Sequence, residues 1–154
     1  MLNSAHALTA GFEVVTRHIV MEKDLNAYGN VFGGTMLAWL DEAAALFAME
    51  STGYPNMVTV NLNNVDFRAP ARRGDTVVIY AKSLKTGRSS LTLDTMALVH
   101  DHALDEKRLV IHCEVTFVCL KDGKPYAYFS SPEYQARAAS AQSKSPDIDQ
   151  PVVT

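Results

Sequence analysis

One segment, Gly33 to Gly53, constrains the fold of this chain more than any other part of its sequence. Strong helix formers fill it and glycines mark both of its ends, which predicts a single helix of about 20 residues and about 30 Å. On a helical wheel its apolar side chains collect into the kind of stripe that packs on a core. The members of this stripe are Met36, Leu37, Leu40, Ala43, Ala44 and Phe47. Asp41 falls at the border of the stripe and Glu42 points away from it, so Asp41 is predicted to be half shielded from water.

The composition is that of one globular domain with no excess of basic residues. The 154 residues are 47% hydrophobic and 20% charged, with a formal net charge of −3. Such a charge argues against nucleic acid as the main partner, although a small basic patch for a phosphorylated ligand is compatible with it. No secretory signal or long apolar run is found, and Cys113 and Cys119 have the same strand parity, which makes them poor disulfide partners. We therefore expect a reduced, cytoplasmic protein that does not enter a membrane.

Most of the chain outside the predicted helix has the pattern of β-strands. One strand precedes the helix at residues 12–20, and a turn-rich loop follows at residues 21–32. After the helix, four strands are predicted at residues 57–67, 76–85, 89–99 and 108–120, with a polar loop at residues 100–107. In the last strand, alternation places one set of side chains on a single face: Leu109, Ile111, Cys113, Val115, Phe117 and Cys119. Residues 1–10 are predicted to be a flexible N-terminus and residues 140–154 a disordered tail, which leaves a folded domain at residues 11–139.

This order of elements predicts an α+β fold. Strands joined by short turns pair antiparallel, and one helix can cover only one face of the sheet that they form. We expect an antiparallel sheet of five to six strands wrapped around one long central helix. Such a sheet leaves an edge to protect, so a dimer that continues the sheet is the expected functional unit.

Several motifs resemble one known family. The run DLNAYGNVFGG at residues 24–34, followed by WLDEA at residues 39–43, resembles the signature of hotdog-fold acyl-CoA thioesterases, in particular the YciA-like and brain-type acyl-CoA hydrolases. Residues 66–75 and 86–90 match further pieces, and all of them follow the order of the family between about residues 12 and 120. The resemblance implies a hotdog fold that hydrolyses acyl-CoA to a carboxylic acid and coenzyme A. It also implies no cofactor apart from the substrate's own coenzyme A, and homodimers that assemble into tetramers or hexamers.

The resemblance also assigns catalytic residues. Gly33 and Gly34 lie where the helix begins, and backbone N–H groups there can stabilise an oxyanion. Residue type alone favours a tight turn as their only role, and the resemblance favours the oxyanion role. Asp41, two helical turns later, matches the catalytic carboxylate and could act as general base or as nucleophile. Asn30 matches the amide that holds the attacking water or the thioester. In the family the loop of one subunit faces the helix carboxylate of the other, so we expect Asn30 and Asp41 to meet across subunits.

A second group of residues is predicted to bind the coenzyme A part of the substrate. The family uses the turn at residues 86–90 for the nucleotide, and guanidinium and amide groups bind phosphates well. The candidates are Arg88, Ser89, Ser90 and Arg68, with Gly33 close to the thioester. His100 and His102 could suggest a metal, but no third ligand has a suitable spacing, so no metal site is predicted.

Two other functions are compatible with parts of this pattern. A hotdog hydratase would need a histidine close to the helix carboxylate, and neither the loop nor the helix supplies one. A non-catalytic module that binds and senses acyl-CoA is the alternative from a different class of protein. Release of free coenzyme A from an acyl-CoA panel separates the sensor from the enzyme.

Overall fold

The computed structural model describes residues 7–143. The flexible N-terminus expected at residues 1–10 and the tail expected at residues 140–154 therefore lie largely outside the described residues. Residues 140–142 belong to a helix, which is the part of the predicted tail that can be compared.

The described chain contains six strands and two longer helices. In chain order they are β1 (Glu13–Ile19), α1 (Gly33–Thr52), β2 (Met57–Phe67), β3 (Thr76–Thr86), β4 (Ser90–Asp101), β5 (Glu106–Lys121), β6 (Lys124–Pro125) and α2 (Pro132–Gln142). Short 3-10 turns occur at Glu22–Asp24 and Tyr128–Ser130. The predicted helix and the first strand after it are confirmed at their predicted positions. The loop predicted at residues 100–107 is shorter than expected, because β4 and β5 extend into it.

The strands form one antiparallel sheet. Their order is β1-β3-β4-β5-β2, with β6 added to β5, and each neighbouring pair is antiparallel. Helix α1 packs on one face, where Leu40, Ala43 and Ala44 are fully buried against side chains of β3, β4 and β5. The prediction of an antiparallel sheet around one long helix is therefore confirmed, with six strands.

Glycine and arginine close the C-terminal end of α1. Gly53 adopts a left-handed conformation with a φ of 72°, and its N–H donates to the carbonyl of Met49. The guanidinium of Arg137, on α2, lies over Gly53 and donates to the carbonyl of Glu50 at 3.1 Å. A cation at this end complements the partial negative charge of the helix, while a side chain in place of Gly53 would collide with the guanidinium.

The predicted face of β5 is wrong at Leu109. A bulge shifts the register between β4 and β5, so that Ala97 pairs with Ile111 but Leu98 pairs with Leu109. The bulge turns Val110 toward α1 and Leu109 toward the opposite face of the sheet. There Leu109 joins a second apolar cluster, whose buried members are Val78, Tyr80, Met96 and Leu98. Simple alternation along the sequence does not detect such an extra residue.

Strand β2 is an open edge of the sheet. It pairs with β5 on one side only, and most of its residues are exposed. Five apolar side chains on this strand are 38–54% exposed: Val58, Val60, Leu62, Val65 and Phe67. A long apolar edge of this kind favours pairing with another strand.

None of the helices within residues 7–143 combines the length and the apolar character needed to span a membrane.

Candidate active site

The loop that precedes α1 is held in place by Asp24. Its carboxylate, which is almost fully buried, accepts hydrogen bonds from the Lys23 ammonium at 2.7 Å and from the N–H of Met21 at 2.8 Å. These two donors hold the pKa of Asp24 below its usual value. The carbonyl of Asp24 accepts from the N–H of Phe32, the residue before the helix. Asp24 therefore ties the start of the loop to the start of α1.

Asn26 shapes the tip of the same loop. Its side-chain oxygen accepts from the N–H of Tyr28 at 2.9 Å and from the N–H of Asn30 at 3.2 Å. Gly29 supplies the positive φ of 76° that this tight turn requires. The backbone of Asn30 is thereby fixed, whereas its half-buried side-chain amide makes no hydrogen bond within residues 7–143 and is free to bind a ligand.

The N-terminus of α1 has donors that no side chain of the described chain satisfies. Phe32 is the N-cap residue, it makes no side-chain cap, and the first turn contains no acidic residue. The first N–H groups of a helix have no partner within the helix, and they lie at the positive end of its dipole. A Cβ at Gly34 would meet no atom within 4 Å, so this backbone can be approached closely from outside. Gly33 and Gly34 are therefore placed where an anionic oxygen can bind.

Asp41 lies two turns further along α1, beside the open edge strand. It is half-buried while Glu42 is exposed, as predicted. Its Oδ1 accepts a hydrogen bond from Thr59 Oγ1, on β2, at 2.7 Å. Eight residues separate Asp41 from Gly33, which corresponds to about 12 Å along the helix. In a single chain, Asp41 is therefore not adjacent to the amides at the helix start.

Thr59 was not predicted from the sequence. The asparagines of β2 blur the alternation of apolar residues along this strand, and the strand contains two shifts of register, between Thr59 and Asn61 and between Asn63 and Asp66. The sequence does show a threonine two residues into the strand that follows the helix. This position indicates a contact with Asp41 only when the register of β2 is known, because the register places Thr59 on the face that α1 covers.

The turn between β3 and β4 carries the residues predicted to bind the nucleotide. It is closed by a hydrogen bond from the N–H of Gly87 to the carbonyl of Ser90, and the Ser89 carbonyl accepts from Cys119 on β5. Arg88 is exposed and its guanidinium contacts no acid within residues 7–143, whereas Ser89 and Ser90 are half-buried. Ser90 lies in the same row of the sheet as Val118 and Val58. The turn is therefore at the same end of the sheet as Thr59 and Asp41.

Arg68 lies at the opposite end of β2. Its guanidinium forms a salt bridge of 2.6 Å with Asp66, and both side chains are about half exposed. Arg68 borders a cavity that Asn30 and Gly33 also line. The predicted residues thus form two groups at opposite ends of β2 in one chain. The loop group contains Asn30, Gly33, Gly34 and Arg68, and the carboxylate group contains Asp41, Arg88, Ser89 and Ser90.

Other reactive side chains do not form a second centre. Cys113 is fully buried, and burial raises the pKa of its thiol, which disfavours the thiolate. His112 lies on the other face of β5, where its Nε2 is 2.5 Å from Asp94 Oδ1. The rings of His100 and His102 are 4.5 Å apart, but within residues 7–143 no three His, Cys, Asp or Glu side chains converge to hold a metal ion.

Comparisons with known proteins identify the family of this chain. The profile described as "Thioesterase superfamily" matches residues 28–104. An uncharacterized acyl-CoA thioester hydrolase of Haemophilus influenzae is 32% identical over 110 residues, which cover 70% of this chain and 71% of that protein. Acyl-CoA thioester hydrolase YciA of Escherichia coli K12 is 30% identical over 93 residues, covering 60% of this chain and 69% of that one. Matches to relatives from Buchnera aphidicola and Zymomonas mobilis span only 59% and 60% of the length of those proteins.

Solved structures with the same fold cover more of the chain. An Asp-to-Ala mutant of a hexameric, broad-specificity acyl-coenzyme A thioesterase superposes with a TM-score of 0.73 at 27% identity, covering 84% of this chain and 96% of that chain. A Staphylococcus aureus acyl-CoA hydrolase, in complex with butyryl coenzyme A and coenzyme A, has a TM-score of 0.69 at 27% identity, covering 88% and 90%. A hexameric thioesterase from Yersinia pestis has a TM-score of 0.68 at 33% identity, covering 74% and 93%.

Proposed function

The chain belongs to the thioesterase superfamily, and from this membership and its own geometry we propose that it is an acyl-CoA thioesterase. The reaction is hydrolysis of an acyl-CoA thioester to a carboxylic acid and free coenzyme A. Relatives and structural neighbours with this activity in their names support the assignment. The observation that carries it is that one helix presents both an uncapped, glycine-built start at Gly33 and Gly34 and a half-buried carboxylate, Asp41.

These groups match the needs of thioester hydrolysis. Water adds to the thioester carbonyl carbon, and Asp41 takes its proton if the carboxylate acts as general base. If Asp41 acts as nucleophile, its oxygen adds to the same carbon, departure of the coenzyme A thiolate leaves a mixed anhydride, and water then hydrolyses that anhydride. In either case the carbonyl oxygen becomes an oxyanion, which the N–H groups at Gly33 and Gly34 stabilise. The carbon–sulfur bond then breaks, and the departing thiolate of coenzyme A takes up a proton.

The complete site requires two chains in this proposal. Antiparallel pairing of β2 with the β2 strand of a second copy, about the middle of the strand, sets Thr59 opposite the partner's Val65. Asp41 of one chain then approaches the helix start and Asn30 of the other. The exposed apolar edge of β2 and the distance of about 12 Å between Asp41 and Gly33 in one chain support this arrangement. The same pairing joins the loop group of one chain to the carboxylate group of the other, including Arg88.

The descriptions of the structural neighbours support an assembly larger than a dimer. Several structural neighbours are described as hexameric, so we propose a hexamer built from three such dimers. Light scattering coupled to size-exclusion chromatography measures the mass of the assembly directly, and a tetramer is the competing outcome.

Coenzyme A enters only as part of the substrate, and no further cofactor is invoked. Two free, buried cysteines are compatible with a reducing cytoplasm.

Subunit complementation tests both the activity and the shared site. Asp41→Asn keeps the shape of the side chain but removes the base, so turnover should fall by about a hundred- to ten-thousandfold. Asn30→Ala should also be inactive. Mixing the two under conditions of subunit exchange should restore about a quarter of the wild-type sites, because half of the dimers are mixed and each rebuilds one site.

The outcomes separate the possibilities. No recovery, with exchange demonstrated by labelled subunits, would place both residues in one chain. Asp41→Asn that releases coenzyme A within about threefold of the wild-type rate would remove Asp41 from the chemistry. A wild-type protein that binds acyl-CoA tightly yet releases no free coenzyme A would be the sensor and not the enzyme.

A further inference from the structure

A cavity of about 370 Å³ opens beside Asn30 at the start of α1. Its walls come from four parts of the chain: the loop before α1, the first turns of α1, the end of β2 with the residues that follow it, and the bulge of β5. The side chains that line its apolar part are Val31, Met36, Phe67, Ala69, Ala71 and Val110. Asn30 and Arg68 supply polar groups to the same cavity.

Phe67 forms a wall of this cavity that also covers the helix start. Its ring packs so closely on Gly33 that a Cβ there would lie 3.2 Å from the ring edge. The ring is nevertheless 52% exposed, whereas Met36, Ala71 and Val110 are each only 2% exposed. The cavity therefore has a buried apolar interior and one partly exposed aromatic wall, which stands beside the amides proposed to bind the oxyanion.

We infer that this cavity holds the acyl group of the substrate and that Phe67 limits the length of the acyl chain. The inference rests on the proposed function. A carbonyl bound at Gly33 and Asn30 has the apolar interior on one side. Arg68, the only charged side chain among the residues that line the cavity, is already paired with Asp66. The volume corresponds to about a dozen groups of the size of a water molecule or a methylene, at about 30 Å³ each. An aliphatic acyl group of short to medium length fits this space better than a long chain or a charged one.

Two substitutions change the cavity in opposite directions. Phe67→Ala removes the aromatic wall and should move the preferred substrate to longer chains. Ala69→Leu adds three carbons to the half-buried wall formed by Ala69 and should exclude longer chains while acetyl-CoA is still accepted. Each methylene that gains or loses its apolar site should change kcat/KM by about fourfold. Val14→Ala truncates an apolar side chain of similar exposure on β1, at the opposite edge of the sheet from β2, which does not line the cavity, and it is the control.

The test uses the full-length assembled protein and two readouts. The first is kcat/KM for straight-chain acyl-CoAs from acetyl to palmitoyl. The second is the calorimetric affinity for S-alkyl-CoA thioethers of increasing length, which cannot be hydrolysed. Circular dichroism and size-exclusion chromatography check that each variant folds and assembles. If truncation of the ring disturbs assembly, Phe67→Trp replaces Phe67→Ala. The larger tryptophan ring should shorten the preferred acyl chain.

We expect opposite shifts of both profiles by Phe67→Ala and Ala69→Leu, and no shift by Val14→Ala. Profiles of the cavity variants that superpose on the wild-type profile would overturn the inference and leave the proposed hydrolysis intact. A protein that hydrolyses no acyl-CoA but shows the expected thioether profiles would overturn the proposed function and retain the acyl pocket.

Discussion

Replacement of Thr59 by valine removes one hydroxyl from the candidate site and preserves the size and branching of the side chain. That hydroxyl donates to Asp41 Oδ1 at 2.7 Å, a length typical of a hydrogen bond to a carboxylate. No other hydrogen bond reaches the Asp41 carboxylate within residues 7–143. We therefore expect Thr59 to orient the carboxylate relative to the thioester carbon.

The size of the effect follows from this contact. A hydrogen bond to a charged group contributes about 1.5–3 kcal/mol. Thr59 is exposed in the single chain, so water can replace part of the interaction, and the lower end of this range applies. A loss of about 1.5 kcal/mol from transition-state stabilisation lowers kcat by about tenfold. KM for acyl-CoA should change by less than about twofold, because the hydroxyl acts on the carboxylate and not on the coenzyme A.

The assay is steady-state release of the coenzyme A thiol, with Thr59→Ser as the matched control. Serine keeps the hydroxyl and should stay within about threefold of the wild-type kcat. Wild-type turnover in Thr59→Val would refute the orienting role. Equal losses in Thr59→Val and Thr59→Ser would mean that the methyl group, which valine keeps and serine lacks, contributes as much as the hydroxyl.

Two further predictions concern substrate binding and stability. Arg88→Ala should raise KM for acyl-CoA by about ten- to a hundredfold with little change in kcat, because a phosphate contact far from the thioester is made equally in ground and transition states. An equal rise in KM for acyl-CoA and for acyl-pantetheine, measured in parallel assays, would contradict this prediction. Burial lowers the pKa of His18 from its ordinary 6.5, although the nearby carboxylates of Glu42 and Asp24 act to raise it. Within residues 7–143 its Nε2 has no hydrogen-bond partner, and its ring stacks on Trp39 at a centroid distance of 4.4 Å. The folded state thus disfavours the protonated ring, so the free energy of unfolding should fall as pH drops below 6.5 toward the folded-state pKa. In urea unfolding between neutral and mildly acidic pH, His18→Phe should lose less of this free energy than the wild type. An equal loss in the variant would mean that His18 does not cause the pH dependence.

Local pattern was sufficient to predict the central helix. Gly33, Gly53 and the apolar stripe between them act through neighbours within one or two turns of the chain, and the helix has the predicted start and ends at Thr52, before Gly53. Half-burial of Asp41 follows from the same periodicity.

Helix α2 was not predicted, because its residues, Pro132–Gln142, have a weak apolar face and none of them is buried. Its N-cap, Ser131, which accepts from the N–H of Tyr134, was the signal available in the sequence.

The candidate site was predictable as a set of residues, through the resemblance, but not as an arrangement. Nothing in the order of Asn30, Asp41 and Arg88 along the chain indicates that the loop group and the carboxylate group lie at opposite ends of β2. That separation depends on the sheet order, in which β5 and not β3 is the neighbour of β2. It is the reason why the proposed site requires two chains.

The sequence by itself determined the elements of this protein: one long amphipathic helix, antiparallel strands around it, and the carboxylate and glycines that the helix carries. These features depend on periodicity and on backbone preferences of single residues, which are local properties. Only the tertiary structure decided that Thr59 donates to Asp41, that Phe67 covers Gly33 and that Val110 replaces Leu109 in the core. A single bulge reverses the face of every following side chain in a strand, and contacts between distant residues depend on that register, so alternation along the chain could not reveal them.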